Sequence, residues 1–168
     1  MTHREELIKI LKEIDIVYRE SVELKHGDVA EFYVDVKKAY GYPNALNLIC
    51  DGLWEKINKT TTCIATEGYG GVTPASVLSS RYNLNLTLVR KEPKKHGKIS
   101  WIDGYVPTRE DRVSVIDDVL TTGGSLSKII QIVKLTGAEV LGSHVVVKRG
   151  YANLEVPMHY LLTVEDLL

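Results

Sequence analysis

The chain has 168 residues, a formal net charge of −1 and 44% hydrophobic residues, which together predict a single globular domain. It has neither the run of about 20 apolar residues that a membrane-spanning helix needs nor a secretory signal pattern, so we expect a cytoplasmic protein that does not bind membranes. Because the sequence lacks the basic excess of general nucleic-acid binders, we also expect no nucleic-acid partner.

The first third of the sequence predicts two helices separated by a strand. Apolar residues recur at helical spacing between residues 4 and 21, and a polar turn follows at 25–28. The aromatic and β-branched residues at 32–36 are typical of a strand. Pro43 then begins a second helical pattern, since proline fits the first turn of a helix.

The rest of the chain alternates short apolar runs with helical patterns. This alternation is typical of βαβ units, so we predict an α/β fold with a mainly parallel central sheet flanked by helices. Ligands of such sheets bind beyond the carboxyl ends of the strands, so the residues that follow each strand are the first candidates for a site. The predicted strands cover residues 62–66, 84–89, 113–116, 140–147 and 159–163.

One connection, at residues 91–112, is unusually long and polar. It carries four lysines and a histidine within its first eight residues, and the sequence allows a short hairpin around residues 99–102. Connections of this length in compact domains are usually functional or disordered.

Two adjacent acids, Asp117 and Asp118, follow the strand predicted at 113–116. A loop of threonine, glycine and serine at 121–125 then leads into a helical pattern, without the Gly-Lys-Ser/Thr of a Walker loop. Small residues let backbone N–H groups approach a phosphate, and a helix N-terminus adds donors and a positive dipole end. Carboxylates can accept hydrogen bonds from the vicinal hydroxyls of a ribose. The pattern predicts a site for a phosphorylated ribose; the alternative is an ordinary connection capped by the two acids.

The run at 115–126 resembles the motif with which type I phosphoribosyltransferases bind PRPP (5-phosphoribosyl 1-pyrophosphate). In that family the two acids hold the ribose hydroxyls and the loop holds the 5-phosphate. The resemblance implies one domain over residues 1–168, with a small hood formed by residues 1–40 and the C-terminal strand. It also implies Mg²⁺ as a cofactor that PRPP carries without direct protein ligands. The PRPP-binding residues that it implies here are Asp117, Asp118, Val119, Leu120, Thr121, Thr122, Gly123, Gly124 and Ser125.

Residues 90–97 read Arg-Lys-Glu-Pro-Lys-Lys-His-Gly and resemble the catalytic loop of orotate phosphoribosyltransferases. The chemistry needs cations there, because negative charge develops on pyrophosphate as it leaves the ribose. The resemblance implies a mobile loop at 91–112 that reaches the neighbouring subunit of a homodimer. The alternative is a solvated, lysine-rich loop. The loop residues implied to bind PRPP are Arg90, Lys91, Lys94 and His96, and the implied catalytic residues are Lys94, His96 and Asp118.

Further segments resemble the site for the orotate base. The segment at 24–27, followed by aromatic residues, is similar to the family's N-terminal base-binding segment, which implies Lys25 near the orotate carboxylate and Tyr33 against the ring. Arg149 corresponds to the family's orotate-binding arginine, and a guanidinium suits a planar carboxylate or imide edge. Thr121 corresponds to a loop threonine that also touches orotate.

The sequence departs from the family pattern at two positions. Gly70 stands where some members carry a pyrophosphate-binding lysine, and Lys148 replaces an acid that is common before the arginine. We nevertheless predict an orotate phosphoribosyltransferase that makes orotidine 5′-monophosphate and pyrophosphate in pyrimidine biosynthesis. The alternatives are a phosphoribosyltransferase for another base and a non-enzymatic regulator that senses PRPP on the same fold.

Overall fold

A computed structural model describes most of the chain and places it in two small antiparallel sheets and one large mixed sheet with helices on both faces. The described residues are 1–19, 22–23, 29–30, 32–97 and 100–168, with the backbone alone at 22–23 and 29–30.

The N-terminal helix α1 spans His3–Ile14 and begins with a complete capping box. The backbone N–H of Glu5 donates to Thr2 Oγ1 over 3.1 Å, and that of Thr2 donates to Glu5 Oε2 over 2.8 Å. The helix ends earlier than the residue 21 of our prediction, because Asp15 adopts a left-handed conformation with φ 61° and caps the last carbonyls.

The segment after α1 forms two short antiparallel pairs instead of a continued helix. Strand β1 pairs with β4, and β2 pairs with β3. A one-turn helix, α2, follows, and then α3, which has its proline in the first turn as predicted. The bounds are β1 Val17–Tyr18, β2 Val22–Glu23, β3 Val29–Ala30, β4 Tyr33–Val34, α2 Val36–Ala39 and α3 Pro43–Lys56.

The central sheet has the strand order β10-β9-β8-β5-β6-β7. Its first five strands are mutually parallel, and β7 runs antiparallel to β6 at the edge. This architecture confirms the predicted α/β fold with a mainly parallel sheet. The elements are β5 Cys63–Glu67, α4 Gly68–Tyr82, β6 Asn85–Val89, β7 Ile102–Gly104, β8 Arg112–Leu120, α5 Gly124–Leu135, β9 Glu139–Lys148, β10 Met158–Thr163 and a final 3-10 helix, Val164–Leu167.

Alternating residues of the inner strands divide the core between the two faces of the sheet. In β8, Val113 and Val115 pack with the apolar side of α5, whereas Ile116 packs with α1, α3 and α4. This period of two is the pattern of a strand that is covered on both faces. None of the helices in the described parts of the chain is long and apolar enough to cross a membrane.

Two elements differ from the sequence prediction in ways that concern the site. Strand β8 continues to Leu120, so the acid pair lies within the strand, because its last residues still pair with β9. The C-terminal strand, expected in the hood, is instead the edge strand of the central sheet beside β9. Its buried Leu161 and Leu162 explain this position, since they join the core under α1 and α3. Part of the long connection also forms β7, so it is not irregular throughout.

Candidate active site

The site lies where the parallel strands β5, β8 and β9 end on the same edge of the sheet. Their last residues are Glu67, Leu120 and Lys148, and Leu120 pairs directly with Lys148 in the strand register. This is the edge at which parallel α/β sheets bind ligands, so the residues after these strands are brought together by topology alone.

The acid pair combines a buried carboxyl with a more accessible one. Asp117 is 8% exposed, and burial, reinforced by the charge of Asp118, raises its pKa to about 8. Its Oδ1 accepts the backbone N–H of Asp118 over 2.8 Å. The Asp118 carboxylate accepts the N–H of Val119 over 2.9 Å and extends toward α4. The pair therefore offers acceptor oxygens at the sheet edge, where the sequence predicted them.

Gly70 is needed for the position of Asp118. A β-carbon at residue 70 would overlap the Asp118 carboxyl group, so any other residue here would require that carboxyl group to move. The Tyr40 hydroxyl donates to the Gly70 carbonyl over 2.6 Å and ties the end of α2 to this turn. Lys37 Nζ, one turn before Tyr40, lies 3.6 Å from Asp118 Oδ2. The sequence analysis did not single out Lys37 or Tyr40.

The predicted phosphate loop connects β8 to the N-terminus of α5. Gly123 has a φ of 84°, which glycine adopts easily, and turns the chain into the helix. Leu120, predicted to contact PRPP, is instead 1% exposed and packs in the core, and Val119 is half-buried in the strand. The loop residues that solvent reaches are Thr121, Thr122, Gly124 and Ser125.

The chain after β9 packs directly on this loop. The backbone N–H groups of Arg149 and Gly150 both donate to the Leu120 carbonyl over 2.9 Å. Any side chain at residue 150 would collide with the Thr121 carbonyl, so glycine permits the close approach. The backbone of Arg149 is thus held beside Thr121, so the structure brings together two of the residues that were predicted to bind the base.

Phe32, an aromatic residue that the sequence did not indicate for the site, lies beside this arginine. The Arg149 guanidinium carbon lies 5.2 Å from the ring centroid of Phe32. Tyr33, predicted to contact the base, is half-buried and has its ring centroid 6.4 Å from that of Tyr18. Lys25, the other predicted base-binding residue, lies outside the described residues.

The basic loop is folded back on β7 through one acid. Asp103 Oδ1 lies 2.6 Å from Lys94 Nζ, and Asp103 Oδ2 accepts from Arg90 over 2.9 Å. These hydrogen bonds hold the pKa of Asp103 below its ordinary value. The Lys91 side chain lies next to Gly68, and His96 is exposed. Two of the predicted loop cations, Arg90 and Lys94, therefore share a carboxylate partner that no sequence motif indicated.

Lys128, on α5, fixes the start of the basic loop. Its ammonium donates to Glu67 Oε1 and to the Arg90 carbonyl, each over 2.9 Å, and to the Lys91 carbonyl over 3.1 Å. It also lies 5.0 Å from the centroid of the Trp101 ring. Lys128 therefore joins the end of β5, the helix after the phosphate loop and the start of the basic loop. Its place on the polar side of α5 gave no sequence signal for this role.

The raised pKa of Asp117 leads to a prediction on stability and pH. The folded pKa, about 8, lies above the ordinary value of 3.8, so between these values the folded state binds a proton that the unfolded state has lost. This contribution makes the folded protein less stable as pH rises from about 4 to about 8. Asp117→Asn has no carboxyl group at this position and so lacks this pH-dependent loss of stability. The melting temperature of the variant minus that of wild type should therefore increase by more than about 3 °C from pH 5 to pH 8.

Thermal unfolding of both proteins across this pH range measures the effect. Asp51→Asn, at an exposed carboxylate paired with Arg81, is the control and should run parallel to wild type. A difference in melting temperature between Asp117→Asn and wild type that stays constant from pH 5 to pH 8 would contradict the raised pKa of Asp117.

A parallel sheet with an acid pair and a phosphate-type loop at its carboxyl edge defines the class of a phosphoribosyltransferase. The sequence model of the family described as phosphoribosyl transferase domain matches residues 42–165, which include the acid pair, the loop and Arg149.

Individual relatives show which phosphoribosyltransferases this chain resembles. The orotate phosphoribosyltransferase of Methanothermobacter thermautotrophicus is 35% identical over 146 residues, which cover 87% of this chain and 80% of the relative. The crystal structure of orotate phosphoribosyltransferase from Aeropyrum pernix has a TM-score of 0.84 and 30% identity, and covers 96% of both chains. That of the Mycobacterium tuberculosis enzyme in complex with PRPP has a TM-score of 0.77 and 25% identity, and covers 99% of both. The chain therefore belongs to the orotate phosphoribosyltransferase family.

Proposed function

We propose that the chain transfers ribose 5-phosphate from PRPP to orotate, giving orotidine 5′-monophosphate and pyrophosphate for pyrimidine biosynthesis. The observation that carries the proposal is the meeting of three features at one sheet edge. These are the acid pair of β8, the loop at 121–125, and Arg149 held against that loop. A relative of the same family was solved with PRPP bound, which supports PRPP as the donor here.

The proposed binding of PRPP follows from the donors and acceptors at the edge. The exposed loop N–H groups, the hydroxyls of Thr121, Thr122 and Ser125, and the N-terminus of α5 suit the 5-phosphate. The Asp118 carboxylate, with Asp117 behind it, suits the ribose hydroxyls. The pyrophosphate would then extend toward the turn between β5 and α4, next to Lys91.

In the reaction, the bond from C1 of the ribose to the pyrophosphate oxygen breaks, a bond from C1 to the orotate nitrogen forms, and the proton of that nitrogen leaves to pyrophosphate or water. The bonding electrons leave with pyrophosphate, and positive charge develops on the ribose. Cations fixed around the leaving group favour this charge separation. We assign this role mainly to Lys94, assisted by Arg90, Lys91 and His96.

The geometry requires Lys94 to change partner before it can act. In the structure Lys94 and Arg90 are both paired with Asp103, and a pyrophosphate must compete with that carboxylate for them. We propose that the loop closes over bound PRPP and excludes water, which would otherwise hydrolyse it. Closure onto a neighbouring subunit of a homodimer, and a cytoplasmic location, are parts of the proposal that rest on the family resemblance.

The acids present are compatible with a substrate-bound magnesium ion. Within the described residues, no three His, Cys, Asp or Glu side chains lie close enough to hold a metal by themselves. Asp117 and Asp118 could accept hydrogen bonds from the waters of an Mg²⁺ ion that the pyrophosphate carries. Bound in this way, the ion would neutralise part of the charge on the leaving group.

We assign recognition of the base to Arg149, with Thr121 beside it and Phe32 and Tyr33 nearby. A guanidinium can form paired hydrogen bonds with a planar carboxylate or imide edge, which orotate provides. Lys25 remains part of the proposal on the resemblance alone.

The test is turnover of PRPP and Mg²⁺ with orotate, uracil, hypoxanthine and adenine in parallel assays. We expect turnover of orotate alone. Turnover of another base instead would contradict the base assignment while retaining the PRPP site. Binding of PRPP without turnover of any base would contradict catalysis and favour a regulator.

Lys128 yields a prediction for this reaction as a positioning residue. Lys128→Met removes the hydrogen bonds to Glu67 and to the Arg90 and Lys91 carbonyls, so the loop cations lose their fixed starting point. We expect kcat to fall about tenfold, the equivalent of about 1.4 kcal/mol, with KM for orotate little changed.

Lys134→Met is the matched control, since Lys134 lies on the same helix and pairs only with the exposed Glu155 among the ion pairs described. Steady-state kinetics of both variants measure the difference. A kcat for Lys128→Met within twofold of that for Lys134→Met would exclude the positioning role.

A further inference from the structure

Lys37 brings a cation to the acid pair from outside the recognised motifs. Its Nζ lies 3.6 Å from Asp118 Oδ2 and 3.9 Å from Asp35 Oδ1, and its side chain is 42% exposed. Partial burial lowers the pKa of Lys37, but the charges of Asp118, Tyr33 and Asp35 outweigh that effect and raise it. The lysine is therefore charged at neutral pH and accessible from solvent.

The helix that carries Lys37 is fixed against the turn between β5 and α4. The Tyr40 hydroxyl holds the Gly70 carbonyl, and the Asp118 carboxyl fills the space into which a side chain at residue 70 would extend. In this arrangement residue 70 cannot provide a cation to a ligand beside Asp118. Among the described ion pairs, the one that reaches Asp118 is made by Lys37.

The charge around this turn favours a further cation if pyrophosphate binds there beside Lys91. Three carboxyl groups lie near the turn, and one of them, Glu67, is already paired with Lys128. With Asp117 mostly protonated at neutral pH, Asp118 is the carboxylate that repels an anionic ligand here, and a nearby cation offsets part of that repulsion. Lysine is suited to this, because its ammonium is a point charge on a flexible four-carbon stem that can move between neighbouring oxygens.

We propose that Lys37 binds the pyrophosphate group of PRPP at the turn between β5 and α4, in place of a lysine at residue 70. This inference rests on the proposed function. In the free protein Lys37 pairs with Asp118. When the ribose hydroxyls donate to Asp118, the ammonium is released to contact a pyrophosphate oxygen while it still screens the carboxylate.

The test compares Lys37→Met with Lys38→Met. Methionine keeps most of the lysine stem and removes its charge. Lys38 is the matched control, because it is the next residue of the same helix but donates to the Asp15 carbonyl and lies 5.6 Å from the Tyr18 ring centroid. We expect Lys37→Met to weaken pyrophosphate binding and raise KM for PRPP, each at least about tenfold, with KM for orotate within about twofold. Lys37→Arg should recover most of the loss, and Lys38→Met should resemble wild type.

Calorimetry with pyrophosphate and Mg²⁺ measures pyrophosphate affinity and so tests the inference independently of turnover. Pyrophosphate affinity within about twofold of wild type in Lys37→Met would overturn it, and so would an equal loss in Lys38→Met. If wild type binds pyrophosphate but does not use orotate, the proposed function fails, and the calorimetric comparison still decides the role of Lys37.

Discussion

Replacing Lys94 with alanine should lower kcat by at least about a hundredfold, while the affinity for orotate changes much less. The reason is that its charge matters most when negative charge accumulates on the departing pyrophosphate. An interaction that strengthens in the transition state affects kcat more than it affects substrate binding. The measurement is steady-state kinetics with both substrates varied, together with orotate binding to the free variant.

The adjacent Lys95 provides the control for this experiment. It is exposed and occupies a position that the loop pattern leaves unspecified, so Lys95→Ala should retain nearly all activity. A kcat for Lys94→Ala within about threefold of wild type would show that Lys94 does not stabilise the leaving group.

Neutralising both acids, in the double variant Asp117→Asn with Asp118→Asn, should abolish measurable PRPP binding and leave the fold intact. Asparagine has nearly the shape of a protonated carboxyl group, and the raised pKa of Asp117 means that this residue is mostly protonated at neutral pH. The fold should therefore tolerate the change. Binding should not, because the variant loses the negative charge of Asp118 and one acceptor oxygen at each position, which would otherwise serve the ribose hydroxyls and any water around Mg²⁺.

Calorimetry with PRPP and Mg²⁺ measures this loss, and circular dichroism checks the fold. Asp51→Asn, on the exposed side of α3, removes one carboxylate far along the chain from the motif and should bind PRPP as wild type does. Unchanged PRPP affinity in the double variant would refute the assignment of the acids to the ribose.

The parallel sheet could be predicted because its information is local. Strands such as β5 and β9 are short segments rich in apolar residues and buried along most of their length, and the intervening helices have apolar stripes, so the alternation is visible in the sequence. The end of α1 could not be predicted in this way. It depends on the left-handed Asp15 and on Ile16, which is 1% exposed, whereas the helical spacing of apolar residues continues beyond them.

The limits of β8 and the place of β10 depend on pairing between distant segments. The acids were expected after the strand, since charged residues usually mark its end, but pairing with β9 carries the strand on to Leu120. The place of β10 at the sheet edge depends on the core under α1 and α3, which no local pattern reveals.

In the candidate site, too, the residues in local sequence motifs could be predicted, and those brought in by distant contacts could not. The acid pair, the phosphate loop and the loop cations are contiguous motifs, so the sequence could name them. Lys37, Asp103 and Lys128 act through partners 9 to 81 residues away, according to their numbers, so only the fold brings them to the site. The place of Phe32 beside Arg149 could not be predicted either, because it joins two segments that are distant in the chain.

The measurement that tests the central claim most directly is the product balance with PRPP, orotate and Mg²⁺. We predict that each orotate consumed, followed by its ultraviolet absorbance, gives one orotidine 5′-monophosphate and one pyrophosphate, and that pyrophosphate release nearly stops when orotate is omitted. Release of pyrophosphate without the nucleotide, or no loss of orotate although PRPP binds, would contradict the assignment of this chain as a transferase that uses orotate.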